Sequence, residues 1–287
     1  MFTLLRKTPK WSPMLAALVL LGCSTIQFAY NNIDWFLLDK ADHYLSLTDA
    51  QRELAEQLVA ARMEVHRREE LPVYVATLKE VRAMLADNLT AAELAIIREK
   101  IPALYRHTMR ATIPGIVQLL TTIDDGQIDH LQARFEERNR EFESEFMPDS
   151  MQARLERRVE RSTGMAEFFT GPLRPEQVAL IAHHRNAMPL TADDWLAYHQ
   201  VRQQKLLAML RRRATQKELE DFLIAWWVEL ADQPPALKRK MAINIDTWTQ
   251  MVLDLDTTVD ARQRQKLLDK LDHFIEEFRE LLPEKKT

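Results

Sequence analysis

Apolar residues recur at steps of three and four along almost the whole sequence, and this spacing constrains the fold more than any other feature. Examples are the stripes Leu237, Met241, Ile245, Trp248, Val252, Leu255 and Leu267, Leu271, Phe274, Phe278, Leu281. Such a stripe gives a helix one apolar face with charged residues opposite. No segment shows the alternation that is typical of strands. We therefore expect an all-α fold, an irregular bundle of about nine or ten amphipathic helices.

Glycine is scarce, with five residues in a chain of 287. They are Gly22, Gly115, Gly126, Gly164 and Gly171. Clustered glycines are needed for a phosphate-binding loop or a dinucleotide-binding turn, so both of these classes are excluded. The G-x-S-x-G turn of many hydrolases is absent as well. A hydrophobic fraction of 46% is sufficient for a packed core.

A capping pattern recurs at the predicted helix starts. It consists of an apolar residue, Thr or Asp, two further residues, and then Gln, Glu or Asp. It occurs at 47–51, 89–93, 123–127, 190–194 and 259–263, with a weaker copy at 173–177 whose first helical residue is Pro175. In such a capping box the first side chain accepts from a free backbone N–H and the last reaches back. The irregular spacing argues against a fixed-period solenoid.

The N-terminus has the layout of an export signal. Arg6, Lys7 and Lys10 precede an entirely apolar run at 14–21, which is far shorter than the ~20 residues of a membrane-spanning helix. The run ends at Gly22 and Cys23, and Cys23 is the sole cysteine of the chain.

This ending resembles the lipobox of bacterial lipoproteins. The resemblance implies cleavage before Cys23, a diacylglyceryl group on its thiol and a fatty acyl group such as palmitate on its amine. Ser24 implies transfer to the inner leaflet of the outer membrane, so that the protein faces the periplasm. We expect a signal peptide at 1–22, a lipidated entry segment at 23–46 and a helical periplasmic domain at 47–287, with a possible soft boundary near 147–175.

Charge gives little indication of a nucleic-acid partner. Without the three basic residues of the signal, the chain has 36 basic and 43 acidic residues, and the formal net charge falls from −4 to −7. No basic block remains of the kind that binds nucleic acid. We expect no nucleic-acid partner and no cofactor.

Three polar segments are candidates for ligand or partner contacts. Their residues are Asn31, Asn32, Asp34 and Trp35; His66, Arg67, Arg68, Glu69 and Glu70; and Glu137, Arg138 and Asn139. In the first, the alternative is an entry helix that is capped by Asn and packs Trp35, Leu38 and Tyr44 inward. In the second, the alternative is a charged helix end before a kink at Pro72, either solvated or in salt bridges.

Asn139, in the third segment, falls on the apolar stripe between Phe135 and Phe142. Because buried polar groups need partners, we expect it to meet an Arg or Glu of another helix or to face a groove.

Metal binding and catalysis have no clear sequence signal. His183 and His184 are adjacent, so on a helix they point about 100° apart, and no H-E-x-x-H motif is present. We therefore predict no metal site and no catalytic residue, and we place Trp226 and Trp227 in the core.

Four motifs carry a family resemblance: "GCSTIQFAYNNIDW", "LTDAQ", "HRREELP" and "FEERNREFESEF", in this order. With them the chain resembles a family of uncharacterised proteobacterial lipoproteins that share a domain of unknown function. The resemblance implies a helical envelope lipoprotein and supplies no activity. "LTDAQ" is also similar to the L-T-x-x-Q motif of small periplasmic chaperones.

We expect a non-enzymatic role, in which the protein binds or scaffolds another protein of the cell envelope and is held to the membrane through Cys23. A chaperone-like binder of unfolded polypeptides is the alternative, and it would need an exposed apolar groove. An envelope enzyme is the third, and it would need the charges of 66–70 and 136–145 to meet in one cleft.

Overall fold

The computed structural model describes residues 25–283, and within them the chain is all-α, without strands. The α-helices are α1 (Thr25–Asn31), α2 (Ile33–Leu45), α3 (Asp49–Val65), α4 (Leu71–Met84), α5 (Ala91–Leu120), α6 (Asp125–Phe146), α7 (Met151–Thr170), α8 (Pro175–Ala187), α9 (Ala192–Arg211), α10 (Gln216–Leu223), α11 (Pro235–Asp256) and α12 (Ala261–Glu280). Two π-helical turns, π1 (His66–Glu70) and π2 (Ile224–Val228), continue α3 into α4 and extend α10. The all-α prediction is confirmed, with eleven continuous helical segments in the described residues.

The capping boxes start most of these helices as predicted. Thr48, Thr90, Asp124 and Asp260 each accept from the backbone N–H three residues later. The glutamine of 173–177 also reaches back to the backbone of Arg174, with Pro175 as the first helical residue. The box predicted at 190–194 is wrong, because the Thr191 side chain makes no capping hydrogen bond.

Four of the boxes end in glutamine, and the fold brings these glutamines together in two pairs. Gln51 and Gln127 form the first glutamine pair, and Gln177 and Gln263 form the second, each with amide hydrogen bonds in both directions. The pairs join α3 to α6 and α8 to α12 at their N-termini.

The surroundings of the two pairs also correspond. Gln51 donates to the carbonyl and hydroxyl oxygens of Thr122, and Gln177 donates to the same two groups of Thr258. Helix α2 packs on α3 and α6, just as α7 packs on α8 and α12. The fold therefore contains two similar four-helix units, α2–α3–α5–α6 and α7–α8–α11–α12.

The main core lies between the first unit and helices α9 and α10. Ile113, Val117, Leu207 and Leu223 are among its fully enclosed side chains. Trp226 is buried there and Trp227 packs against it, which confirms the prediction for this pair.

Helix α5 connects the two units, because it packs on α3, α4, α10 and α11. Pro102 and Pro114 lie inside it, and neither ends the helix. Near its start, the buried carboxylate of Asp256 accepts from the Leu89 backbone N–H (2.8 Å) and from Arg264 (2.6 Å). This contact ties the end of α11 to the link between α4 and α5.

Candidate functional site

A cavity of about 630 Å³ opens among α5, α6, α7, α8, α9 and α11. Its lining includes Arg98, Arg154, Arg158, Arg161 and Arg185, and we call it the arginine cavity. Among the described residues, no carboxylate belongs to that lining. The volume is within the range of small-molecule sites.

Helix α7 supplies three of these arginines because they share one face. Arg154, Arg158 and Arg161 are separated by steps of four and three. The adjacent apolar stripe of α7, which includes Leu155 and Val159, follows the same spacing. These residues were not among the candidates predicted from the sequence, although three arginines at helical spacing can be recognised there.

Arg158 is the most enclosed of the five, with 6% of its surface exposed. Its guanidinium donates to the carbonyl oxygens of Met188 (2.8 Å) and Pro189 (3.2 Å), just after the end of α8. Burial, followed by the nearby charges of Arg185 and Arg161, lowers the pKa of Arg158 to about 10. The group is still a cation at neutral pH, held at an energetic cost.

Arg185 and Arg161 add to this concentration of positive charge. Arg185 donates to the sulfur of Met188 (3.0 Å), and its buried Nε has no hydrogen-bond partner among the described residues. Burial and the charge of Arg161 lower the pKa of Arg185. The Arg161 guanidinium lies 4.7 Å from the centre of the Phe146 ring.

Few acidic side chains lie near the arginines of the cavity. Arg154 pairs with Asp193 at 3.0 Å, and Arg98 donates to the Thr249 hydroxyl. Within residues 25–283, no carboxylate lies within 4.0 Å of Arg158, Arg161 or Arg185. Three guanidinium groups therefore share one cavity without an anionic partner from the described chain.

The remaining wall of the arginine cavity is aromatic and apolar. Trp195 stacks on His199 (ring centres 5.5 Å apart), and Trp248 and Ile245 come from α11. Burial lowers the pKa of His199. Asn244 donates to the Pro189 carbonyl, and its buried Oδ1 has no partner in the described residues. The site thus combines several cationic donors with apolar walls, an arrangement suited to an anion with an apolar part.

The predicted residues near the N-terminus lie elsewhere. Asn31 ends α1, and Asn32 donates to the Phe28 carbonyl (2.7 Å) without capping α2. The interpretation that Trp35 packs inward is wrong, because 68% of its surface is exposed. Asp34 is also exposed, whereas Leu38 and Tyr44 do pack on the core. Cys23 lies outside the described residues, and its lipidation stays a prediction.

The second predicted group forms π1, which continues directly into α4. The salt bridges of the alternative interpretation form, because the buried Glu70 accepts from Arg62 (2.6 Å) and also from the Thr108 hydroxyl (2.6 Å). The helix does not end here, in contrast to that interpretation. His66 hydrogen-bonds the Tyr30 hydroxyl (2.8 Å). Arg67 lies over the Tyr30 ring, and Arg68 and Glu69 form an exposed pair. The group therefore holds α1 against the body of the protein.

The third predicted group lies on α6. Glu137 pairs with Arg134 and Arg138 pairs with Glu141, both within the helix. Asn139 exchanges hydrogen bonds with Gln203 of α9 (2.8 and 3.2 Å), so its partner is an amide and not the expected Arg or Glu.

The second and third groups contact different helices. π1 contacts α1 through Tyr30 and α5 through Thr108, whereas α6 packs on α2 and α9. In the part of the chain that the structure covers, no set of three or more His, Cys, Asp or Glu residues is placed to hold a metal ion. Likewise, no helix between residues 25 and 283 is long and apolar enough to span a membrane.

The model of a family of unknown function, DUF6279, matches residues 43–229, well over half of the chain. The chain belongs to this family. All five arginines of the cavity lie inside the DUF6279 segment, whereas the α11 wall lies beyond it. No curated protein and no solved structure matches the chain.

Proposed function

We propose that this protein is a lipid-anchored protein of the cell envelope that binds an oxyanion ligand in its arginine cavity and carries out no chemistry on it. The single observation that supports this function is the group of Arg158, Arg161 and Arg185, which share the cavity without a carboxylate partner in the described chain. An oxyanion is a phosphate, sulfate or carboxylate group.

The energetic argument is one of charge complementarity. Burial and nearby like charges both destabilise a charged group in the folded protein, and together, with burial the larger cause, they lower the pKa of Arg158. Guanidinium groups bind planar or tetrahedral oxyanions through charge-assisted hydrogen bonds, which are stronger than neutral ones. A bound anion would therefore offset the repulsion and use the free Nε of Arg185.

The arginine cavity is our candidate site for the binding role that the sequence predicts. The oxyanion could belong to a small molecule, to a lipid or to an acidic side chain of a partner protein. Enzyme chemistry has less support, because the two charged segments that it would need contact different helices, π1 with α1 and α5 and α6 with α2 and α9.

The anchor part of the proposal is supported by the basic residues, the short apolar run and the sole cysteine of the N-terminus. Intact-mass measurement of the native protein from membranes would test it. We expect a chain that begins at Cys23 and carries the mass of a diacylglyceryl group and one further acyl chain. A bare thiol with residues 1–22 still attached would contradict the anchor.

Thermal unfolding of the full chain, in a neutral detergent, tests anion binding. At equal ionic strength, sulfate should raise the Tm above its value in chloride by about 4 °C at saturating concentrations. Sulfate also stabilises proteins by exclusion from their surfaces, so variants are needed as controls. Arg161→Gln should lose most of the increase, whereas Arg239→Gln, which removes an exposed arginine outside the cavity, should keep it.

An equal sulfate response in wild type, Arg161→Gln and Arg239→Gln would contradict the proposal. Arg161 is exposed, so its replacement should not prevent folding. A lost response in this variant, with a Tm in chloride no lower than that of wild type, would support a direct role in binding.

A further inference from the structure

We infer that the ligand of the arginine cavity is a single-chain anionic amphiphile, whose head group binds the arginines and whose hydrocarbon chain lies along α11 and α5. This inference rests on the proposed function and names the class of ligand for the same site. Its starting point is an apolar surface that begins inside the cavity and continues beyond it.

The part inside the cavity belongs to α11. Met241, Ile245 and Trp248 are separated by steps of four and three, so they share one face, and all three line the cavity. Ile245 and Trp248 keep 39% and 37% of their surface exposed. A tryptophan and an isoleucine at the mouth of a cationic cavity offer an apolar surface beside the charge.

The continuation belongs to α5. Arg98 of the cavity donates to the Thr249 hydroxyl of α11 at 2.8 Å, which holds the two helices side by side at this point. Ile101 and Tyr105 follow Arg98 by three and seven residues and therefore lie on the same face of α5. They are 39% and 55% exposed. Ile101 and Tyr105 thus add exposed apolar atoms to the face of α5 that carries Arg98.

The composition of this surface favours a hydrocarbon chain over an acidic peptide. A bound peptide brings backbone N–H and C=O groups that need hydrogen-bond partners when they lose water. Ile101, Ile245 and Trp248 offer mainly apolar atoms to solvent, and the charged donors of the cavity are its arginines. A chain of methylene groups has no such requirement, and its burial is favourable over its whole length.

Photolabelling of the full-length, lipidated chain in phosphatidylcholine nanodiscs tests the inference. The probe is a dodecyl phosphate with a photoreactive group on the hydrocarbon chain, and labelled peptides are identified by mass spectrometry. We expect labels in α11 and α5. Unlabelled dodecyl phosphate should compete at about a hundredfold lower concentration than butyl phosphate, because each additional buried methylene strengthens binding.

Two isoleucines of α11 give a matched pair of variants. Ile245→Asn alters the cavity wall and should reduce labelling about tenfold. Ile243→Asn changes the same residue type on the same helix, at a position that is 49% exposed and does not line the cavity, and should leave labelling unchanged. Both residues are exposed, so neither change should prevent folding.

The outcomes separate the two proposals. If sulfate raises the Tm of wild type but not of Arg161→Gln, and labelling is equal in both isoleucine variants, the amphiphile proposal is wrong and the anion-binding proposal stands. If sulfate has no specific effect either, both are wrong. Displacement of the probe by an acidic peptide at lower concentration than by dodecyl phosphate would overturn the amphiphile in favour of a protein segment.

Discussion

The side-chain amides of Gln51 and Gln127 donate to each other, with nitrogen–oxygen distances of 3.0 and 2.7 Å. Each amide oxygen also accepts from the backbone N–H that starts its own helix, at Thr48 and Asp124. Both glutamines are buried, and the oxygen and the nitrogen of each amide have hydrogen-bond partners. One pair of side chains thus caps the N-termini of two helices and joins these ends to each other.

Replacement of Gln51 by Ala should lower the free energy of unfolding by about 2–3 kcal/mol. The change removes a cap and leaves the buried amide of Gln127 short of a partner. Urea denaturation would measure this, with Gln118→Ala as a control at an exposed position of α5. In the double variant with Gln127→Ala, the total loss should be smaller than the sum of the single losses. Strict additivity would contradict the coupling of the two amides.

Replacement of Arg185 by Met should stabilise the ligand-free protein by about 1 kcal/mol. The change removes a half-buried charge that repels Arg158 and Arg161, and it deprives no carboxylate of the described residues of a partner. The same variant should lose part of the increase in Tm that sulfate produces. Chemical denaturation with and without sulfate measures both effects. A variant that is less stable and binds sulfate normally would assign Arg185 a purely structural role.

Sulfate affinity should increase as the pH falls from about 7.5 to about 5.5. Burial lowers the pKa of His199, so this residue is neutral at the upper end of the range. A bound anion favours the charged imidazolium and raises its pKa, and by linkage protonation strengthens anion binding. Sulfate is fully ionised throughout this range. Calorimetric titration of wild type and His199→Gln would test the effect, and an equally steep pH dependence in the variant would exclude His199 as its source.

Stability without ligand should decrease as the pH falls through about 6.5, and His66 should account for part of the loss. Burial, with the charge of Arg62, lowers the pKa of His66 below its ordinary value in spite of Glu70. The unfolded chain therefore binds more protons in this range, and acid favours unfolding. His199 acts in the same direction.

His66→Gln should make the pH dependence of the free energy of unfolding shallower between about pH 7 and pH 5. Carboxylates with a lowered pKa, such as Glu93 and Glu218, lose their contribution only below their ordinary value of 4.5. The chosen range therefore isolates the histidines. Urea denaturation at each pH gives the comparison, and identical slopes for wild type and variant would contradict the assignment.

Local sequence patterns were sufficient for the helices and for most of their starts. Helical spacing and capping boxes depend on residues that are only a few positions apart, so both can be recognised from the sequence alone. The patterns failed where a tertiary contact replaced the local one. Thr191 makes no cap, and Glu70 is buried against Arg62 and Thr108 although it stands in a highly charged run.

The sequence by itself determined that this chain forms amphipathic helices, that four of them begin with a glutamine at the same capping position, and that α7 carries a stripe of arginines. Only the tertiary structure decided which glutamines pair, and that Arg185 and Trp248 join the stripe in one cavity. The reason is physical: a helix and its cap depend on hydrogen bonds between near neighbours in the chain. A cavity depends on the packing of helices that lie far apart in sequence, and no local pattern specifies which of their faces will meet.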